Sequence, residues 1–199
     1  MAAAAYFVLS IHPSSYGFSH NDRRQVQMYR LTDSWTGLTG AYTNLTDPWP
    51  LPDKYDGKLE APALFQHEGS GPGSYYLWAS HCTYWFPNDA YVLQQPAPTL
   101  SHAGLWKPVG NPTHNDTSFG TQSTHILPIP QRFRGRGAAG RSSSSSSAGD
   151  PAAPTHIYVS DRFEPYVAQN LTGRYVWLPL TWQAGKANVA WHDEWQLHS

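Results

Sequence analysis

The chain has 199 residues, enough for one domain with a substantial core. A net charge of -1, with 14% charged residues against roughly 25% in an average globular domain, argues against nucleic acid as a partner. No apolar run approaches the roughly 18 residues of a membrane span, and the single cysteine, Cys82, excludes an intrachain disulfide.

Aromatic residues reach 14%, with nine Trp and twelve Tyr, and 16 glycines and 17 prolines punctuate the chain. That mixture reads as short aromatic strands joined by tight turns. The start, Met1 to Ile11, is apolar but short and carries no basic n-region. Tyr6–Ile11 is therefore expected as a strand rather than a signal peptide. Gln25–Leu31 alternates polar and apolar residues and reads as the next strand, with a turn-rich return from Asp33 to Gly40. Ala61–Phe65 and Tyr75–Ser80 flank a glycine-rich hairpin turn, His67 to Gly73. Cys82 follows in an apolar, aromatic context that predicts an inert buried thiol. Tyr91-Val92-Leu93 is a further short strand. Ser123–Ile129 and His156–Ser160 bracket a long loop. Tyr175–Leu180, Thr181–Gln183 and Asn188–Trp191 close the chain.

No amphipathic helix is evident, so an all-β sandwich or propeller is predicted. The segment Gln131–Pro154 contains four arginines and then six serines in a row. It reads as a disordered low-complexity insert in a surface loop. Loop length costs stability only logarithmically, so the flanking strands are expected to pair across it.

Glu60 leads the apolar run Ala61-Pro62-Ala63-Leu64-Phe65, just ahead of the aromatic strand Tyr75–Ser80. A carboxyl group partly stripped of water there is expected to have a raised pKa, because desolvation disfavours its charged form. A carboxylic acid still protonated near neutral pH is what acid-catalysed glycoside cleavage requires. The same residue type is also compatible with a surface Glu that merely precedes a strand. The many aromatic faces suit sugar rings, whose C–H faces are apolar, although core packing is the commoner explanation for any one Trp.

Six stretches settle between these readings. They are Glu60–Phe65, Ser80-His81-Cys82-Thr83-Tyr84-Trp85-Phe86-Pro87-Asn88, Ser118-Phe119-Gly120-Thr121-Gln122-Ser123-Thr124, Val159-Ser160-Asp161-Arg162-Phe163, Arg174–Leu180 and Trp191-His192-Asp193-Glu194-Trp195. In this order and spacing they resemble glycoside hydrolase family 43, in particular its galactan 1,3-β-galactosidase group. The resemblance covers nearly the whole chain apart from the serine-rich insert.

The resemblance implies a five-bladed β-propeller with its active site at one end of the central channel. It implies hydrolysis of β-1,3-linked galactan with inversion, Glu60 matching the general acid. Gln122 matches the glutamine that stands near the base position in the galactanase group. A neutral amide has negligible basicity and ordinarily orients water, so three roles stay open for Gln122: water positioning, proton acceptance through its imidic tautomer, or a purely structural bond to a strand backbone. Thr83 and Trp85 match a sugar-contacting T-G-W segment, with Tyr84 in place of the usual glycine. Asn21 lies where the family carries sugar-binding asparagines. Asp161-Arg162 match a D-R-W motif, with Phe163 replacing the Trp, either as a structural ion pair or as a substrate contact.

Set against that family, the chain is expected to lack the first one to two blades. No Asp ahead of Glu60 matches the carboxylate that tunes the acid, so this chain alone is expected to be poorly active. The implied partner is an oligo- or polysaccharide, with no nucleic acid, no membrane, a monomeric state, and no cofactor or metal. The ten His show no metal-ligand spacing. The parent family implies an extracellular or secretory location, and the sequons Asn44-Leu45-Thr46, Asn115-Asp116-Thr117 and Asn170-Leu171-Thr172 hint at the same history. Competing readings are an inactive glycan-binding or vestigial propeller fragment and another family 43 specificity, arabinofuranosidase or xylosidase.

Overall fold

The structure, a computed structural model, describes residues 4–11, 25–45, 59–67, 74–83, 86–96, 100–101, 105–130, 133, 154–162 and 173–197. Among these there are eleven strands and no α-helix. They are β1 (Tyr6–Ile11), β2 (Gln25–Leu31), β3 (Leu38–Asn44), β4 (Leu59–His67), β5 (Ser74–His81), β6 (Ala90–Gln95), β7 (Lys107–Gly110), β8 (Gln122–Pro128), β9 (His156–Arg162), β10 (Arg174–Gln183) and β11 (Lys186–Val189).

The strands form three antiparallel sheets in simple up-and-down order, β1-β2-β3, β4-β5-β6-β7 and β8-β9-β10-β11. The sheets meet through their first strands, β1 against β4 and β4 against β8. Four-stranded meanders packed face to face with one edge strand of each turned toward a common axis are the construction of propeller blades.

Several expectations agree with the structure. β1 and β2 have the bounds read from the sequence. β8 and β9 pair across the low-complexity segment from Gln122↔Asp161 to Pro128↔His156, and Ile129 N extends the pairing by donating to Thr155 O at 2.9 Å. The insert itself lies outside the described residues except for Phe133 and Pro154. Other expectations need correction. Tyr175–Leu180 and Thr181–Gln183 are one strand, β10, because the strand former Thr181 carries the pairing with β11 straight on. β3 and β7 were not expected. Their residues are small or exposed, and β7 is exposed throughout, so no alternation marks either strand.

The middle sheet carries the core. Its strand β5 is buried on both faces because a sheet packs against each. Strand alternation sends Tyr76 and Trp78 toward the β8–β11 sheet, where they meet Ile126, Tyr158, Val176, Leu178 and Leu180. It sends Leu77 and Ala79 the other way, into a second cluster with Val26, Met28, Leu59, Leu93 and Trp106. The aromatic density of the sequence is thus used largely for packing: Trp78 tilts against Tyr158 at 4.9 Å, and Phe65 stacks on Tyr76 at 5.3 Å. Cys82 is buried, as its context predicted.

Candidate functional site

Glu60 sits at the start of β4, the strand through which the middle sheet faces its neighbours. Its backbone pairs with Ser80, but the next pairing is Ala63 with Trp78, so β4 carries one extra residue at Ala61-Pro62. Proline cannot donate to a ladder and is confined in sheets to edges and bulges. Ala61 takes up the distortion with φ at +52°, a conformation costly for any residue with a Cβ. A bulge re-aims the side chains beside it.

β8 mirrors this construction. Its pairing with β9 skips one residue between Ser123 and His125. The two bulged segments dock on each other: Ser123 Oγ, in a buried side chain, donates to Ala61 O at 3.1 Å. One residue earlier, Gln122 Nε2 donates to Glu60 Oε1 at 2.7 Å. The acid and the amide singled out in the sequence, far apart along the chain, therefore form a direct pair between two sheets. The amide N–H faces the carboxylate, which leaves the Gln122 carbonyl oxygen as an acceptor.

The approach to Gln122 is a tightly wound loop. His114, Ser118, Phe119 and Gly120 all have positive φ, from +48° to +73°. Asn115 holds it together by accepting hydrogen bonds from Thr117 N, Thr117 Oγ1 and Phe119 N at 3.0, 3.0 and 2.8 Å. Thr121, buried at its end, donates to Ser118 O at 2.6 Å and shares a 3.0 Å contact with the Tyr158 hydroxyl. Burial pushes the Tyr158 phenol above its ordinary value, since a phenolate there would lose its water.

No protein-family model and no curated protein sequence matches this chain. Solved structures do. A β-1,3-galactosidase of glycoside hydrolase family 43, solved with galactodeoxynojirimycin, is 30% identical over 87% of this chain, with a TM-score of 0.61. The chain belongs to glycoside hydrolase family 43. The same fold is found in the exo-β-1,3-galactanase of Phanerochaete chrysosporium with β-1,3-galactotriose, 22% identical over 83% of this chain at a TM-score of 0.52. It is found again in an exo-β-1,3-galactanase from Clostridium thermocellum, 19% identical over 94% of this chain at a TM-score of 0.54. The family 43 chain spans 40%, 29% and 33% of the lengths of these three relatives respectively.

In this family 43 chain the remaining site expectations fall out unevenly. Thr83 lies just past β5, at the same end of the sheet as Glu60. Its hydroxyl donates to Asn88 Oδ1 at 3.0 Å, and Asn88 Nδ2 in turn donates to Phe86 O at 2.7 Å, closing the turn. The Thr83 oxygen keeps its acceptor lone pairs. Asp161 stands opposite Gln122 in the β8–β9 register and is exposed. The ion pair with Arg162 does not form among the described residues: neighbours along a strand point to opposite faces, and the Arg162 guanidinium lies against Gly120, its Nε 3.5 Å from where a Cβ would stand. Trp85 and Asn21 lie outside the described residues, as does Tyr84. No group of His, Cys, Asp and Glu among the described residues could hold a metal.

Two parts of the site went unnoticed in the sequence. One is Ser123, whose bond to Ala61 ties the two strands together; nothing local distinguishes it from any other strand serine. The other is the bulge at Ala61-Pro62, and here the signal was present in the proline inside a strand pattern. A groove of about 330 Å³ lined by Leu64, Gln66, His67, His125, Pro128 and His156 lies at the far end of β4, remote from the Glu60–Gln122 pair.

Proposed function

We propose that this chain forms part of a glycosidase that cleaves β-1,3-linked galactan with inversion, Glu60 acting as general acid and Gln122 positioning the nucleophilic water. The observation that carries this reading is the 2.7 Å bond from Gln122 Nε2 to Glu60 Oε1. It joins a carboxyl group that can protonate a leaving oxygen to an amide whose carbonyl can accept a hydrogen bond from water. Likeness to a β-1,3-galactosidase at 30% identity supports the substrate class. Inverting sites keep acid and water-activating group about 6.5–9.5 Å apart to admit the water. The direct contact is then the closed pair, and an entering sugar parts it by swinging the flexible Gln122 side chain away.

On this reading the three sheets are three consecutive blades of a five-bladed propeller, with the serine-rich segment a surface insert. Thr83 and Asp161 lie at the mouth, ready to meet sugar hydroxyls. The protein works as a monomer on extracellular oligo- or polysaccharide. A second reading draws on the same contact: with the amide seated on the carboxylate, the chain binds glycan without cleaving it.

Proton NMR of β-1,3-galactobiose hydrolysis decides between them. Catalysis by inversion releases α-galactose first, and Glu60→Gln abolishes it. Binding without turnover supports the second reading. Initial release of β-galactose, or equal turnover by wild type and Glu60→Gln, rules the first out.

A further inference from the structure

The loop that delivers Gln122 contains the sequon Asn115-Asp116-Thr117, which the proposed chemistry does not use. Its Asn side chain is held in one orientation. Oδ1 accepts from Thr117 N, Thr117 Oγ1 and Phe119 N, and backbone donors of this kind fix which end of the amide is oxygen. The other end, Nδ2, makes no hydrogen bond among the described residues and is not among the buried unpaired atoms, so solvent reaches it. His114, Asp116 and Thr117 around it are exposed.

The loop also holds its own comparison. Asn111-Pro112-Thr113 folds into the same turn, Asn111 Oδ1 accepting from Thr113 N at 3.0 Å and Thr113 Oγ1 at 2.7 Å. A proline between Asn and Thr removes that site from the sequon class. The first sequon, at Asn44, is placed differently: its middle residue Leu45 is 2% exposed and packed into the core.

We infer that Asn115 is an N-glycosylation site, taking an oligosaccharide from a polyprenyl pyrophosphate donor in the secretory lumen. The amide nitrogen forms a bond to C1 of the sugar and gives up a proton. The C1–O bond breaks and the pyrophosphate leaves with its electron pair. The amide carbonyl is untouched, so the three hydrogen bonds to Oδ1 survive and the glycan projects from the loop into solvent.

The test routes the full chain into the secretory pathway of yeast with an added leader. Occupancy is read by glycosidase release in heavy-oxygen water and peptide mass spectrometry, on both intracellular lumenal and secreted protein. Asn115 should appear as labelled Asp in most molecules. Asp116→Pro should abolish the label while the turn persists, since the same turn already tolerates Pro112. Thr117→Ser should reduce the label without abolishing it. Unmodified Asn115 in lumenal protein, or a label that survives Asp116→Pro, overturns the inference.

Discussion

The contact between Glu60 and Gln122 makes a prediction that does not depend on turnover. An N–H···O distance of 2.7 Å to a carboxylate is in the charge-assisted range. Hydrogen bonds to charged groups are worth about 1.5–3 kcal/mol when buried. Both side chains are only partly buried, so solvent screening places the coupling at the low end, about 1–2 kcal/mol. The measurement is a double-mutant cycle with Glu60→Ala, Gln122→Ala and the double variant, each unfolded in urea at pH 7. The cycle cancels whatever else either side chain touches and isolates the pair. For a chain of this size each kcal/mol corresponds to about 2–4 °C in Tm, so the same coupling is legible in thermal melts. A coupling energy within about 0.3 kcal/mol of zero would refute the pairing and, with it, the argument that the two bulges hold the acid against the amide.

Ala61, at φ +52°, should tolerate glycine: relief of about 1–2 kcal/mol of left-handed strain offsets the roughly 0.5–1 kcal/mol entropic cost of the substitution. Urea unfolding should find Ala61→Gly at least as stable as wild type and Ala79→Gly, in buried extended β5, less stable; equal losses would show that the bulge is unstrained. Burial raises the Tyr158 phenol above its ordinary value of 10.0, so its contribution to stability is complete below pH 10 and lost as pH rises beyond it, where the unfolded chain releases the proton first. Tyr158→Phe should flatten the fall in unfolding free energy above pH 10; an unchanged slope would assign alkaline unfolding to other groups.

The β-class of the fold was legible because alternation, aromatics and Gly/Pro punctuation are local signals. β1 and β2 come straight from such patterns, and so does the middle of β5. The exposed β7 was illegible because a strand with no buried face leaves no period in the sequence. Trp and Tyr raised a second ambiguity. Sequence could not tell sugar platforms from core, and tertiary structure sent Trp78, Tyr76 and Tyr158 to the core while leaving Trp177 and Tyr175 exposed.

By itself the sequence determined the chemistry available at each position: a carboxyl at 60, an amide at 122, and a proline at 62 that a regular ladder cannot absorb. It determined the family through six motifs in register, since order and spacing along the chain are one-dimensional facts. Only the tertiary structure decided that Glu60 and Gln122 touch. That contact depends on how two sheets pack and on one extra residue in each of two strands. A one-residue change of register turns a side chain to the opposite face, and no local pattern records which partner it then meets.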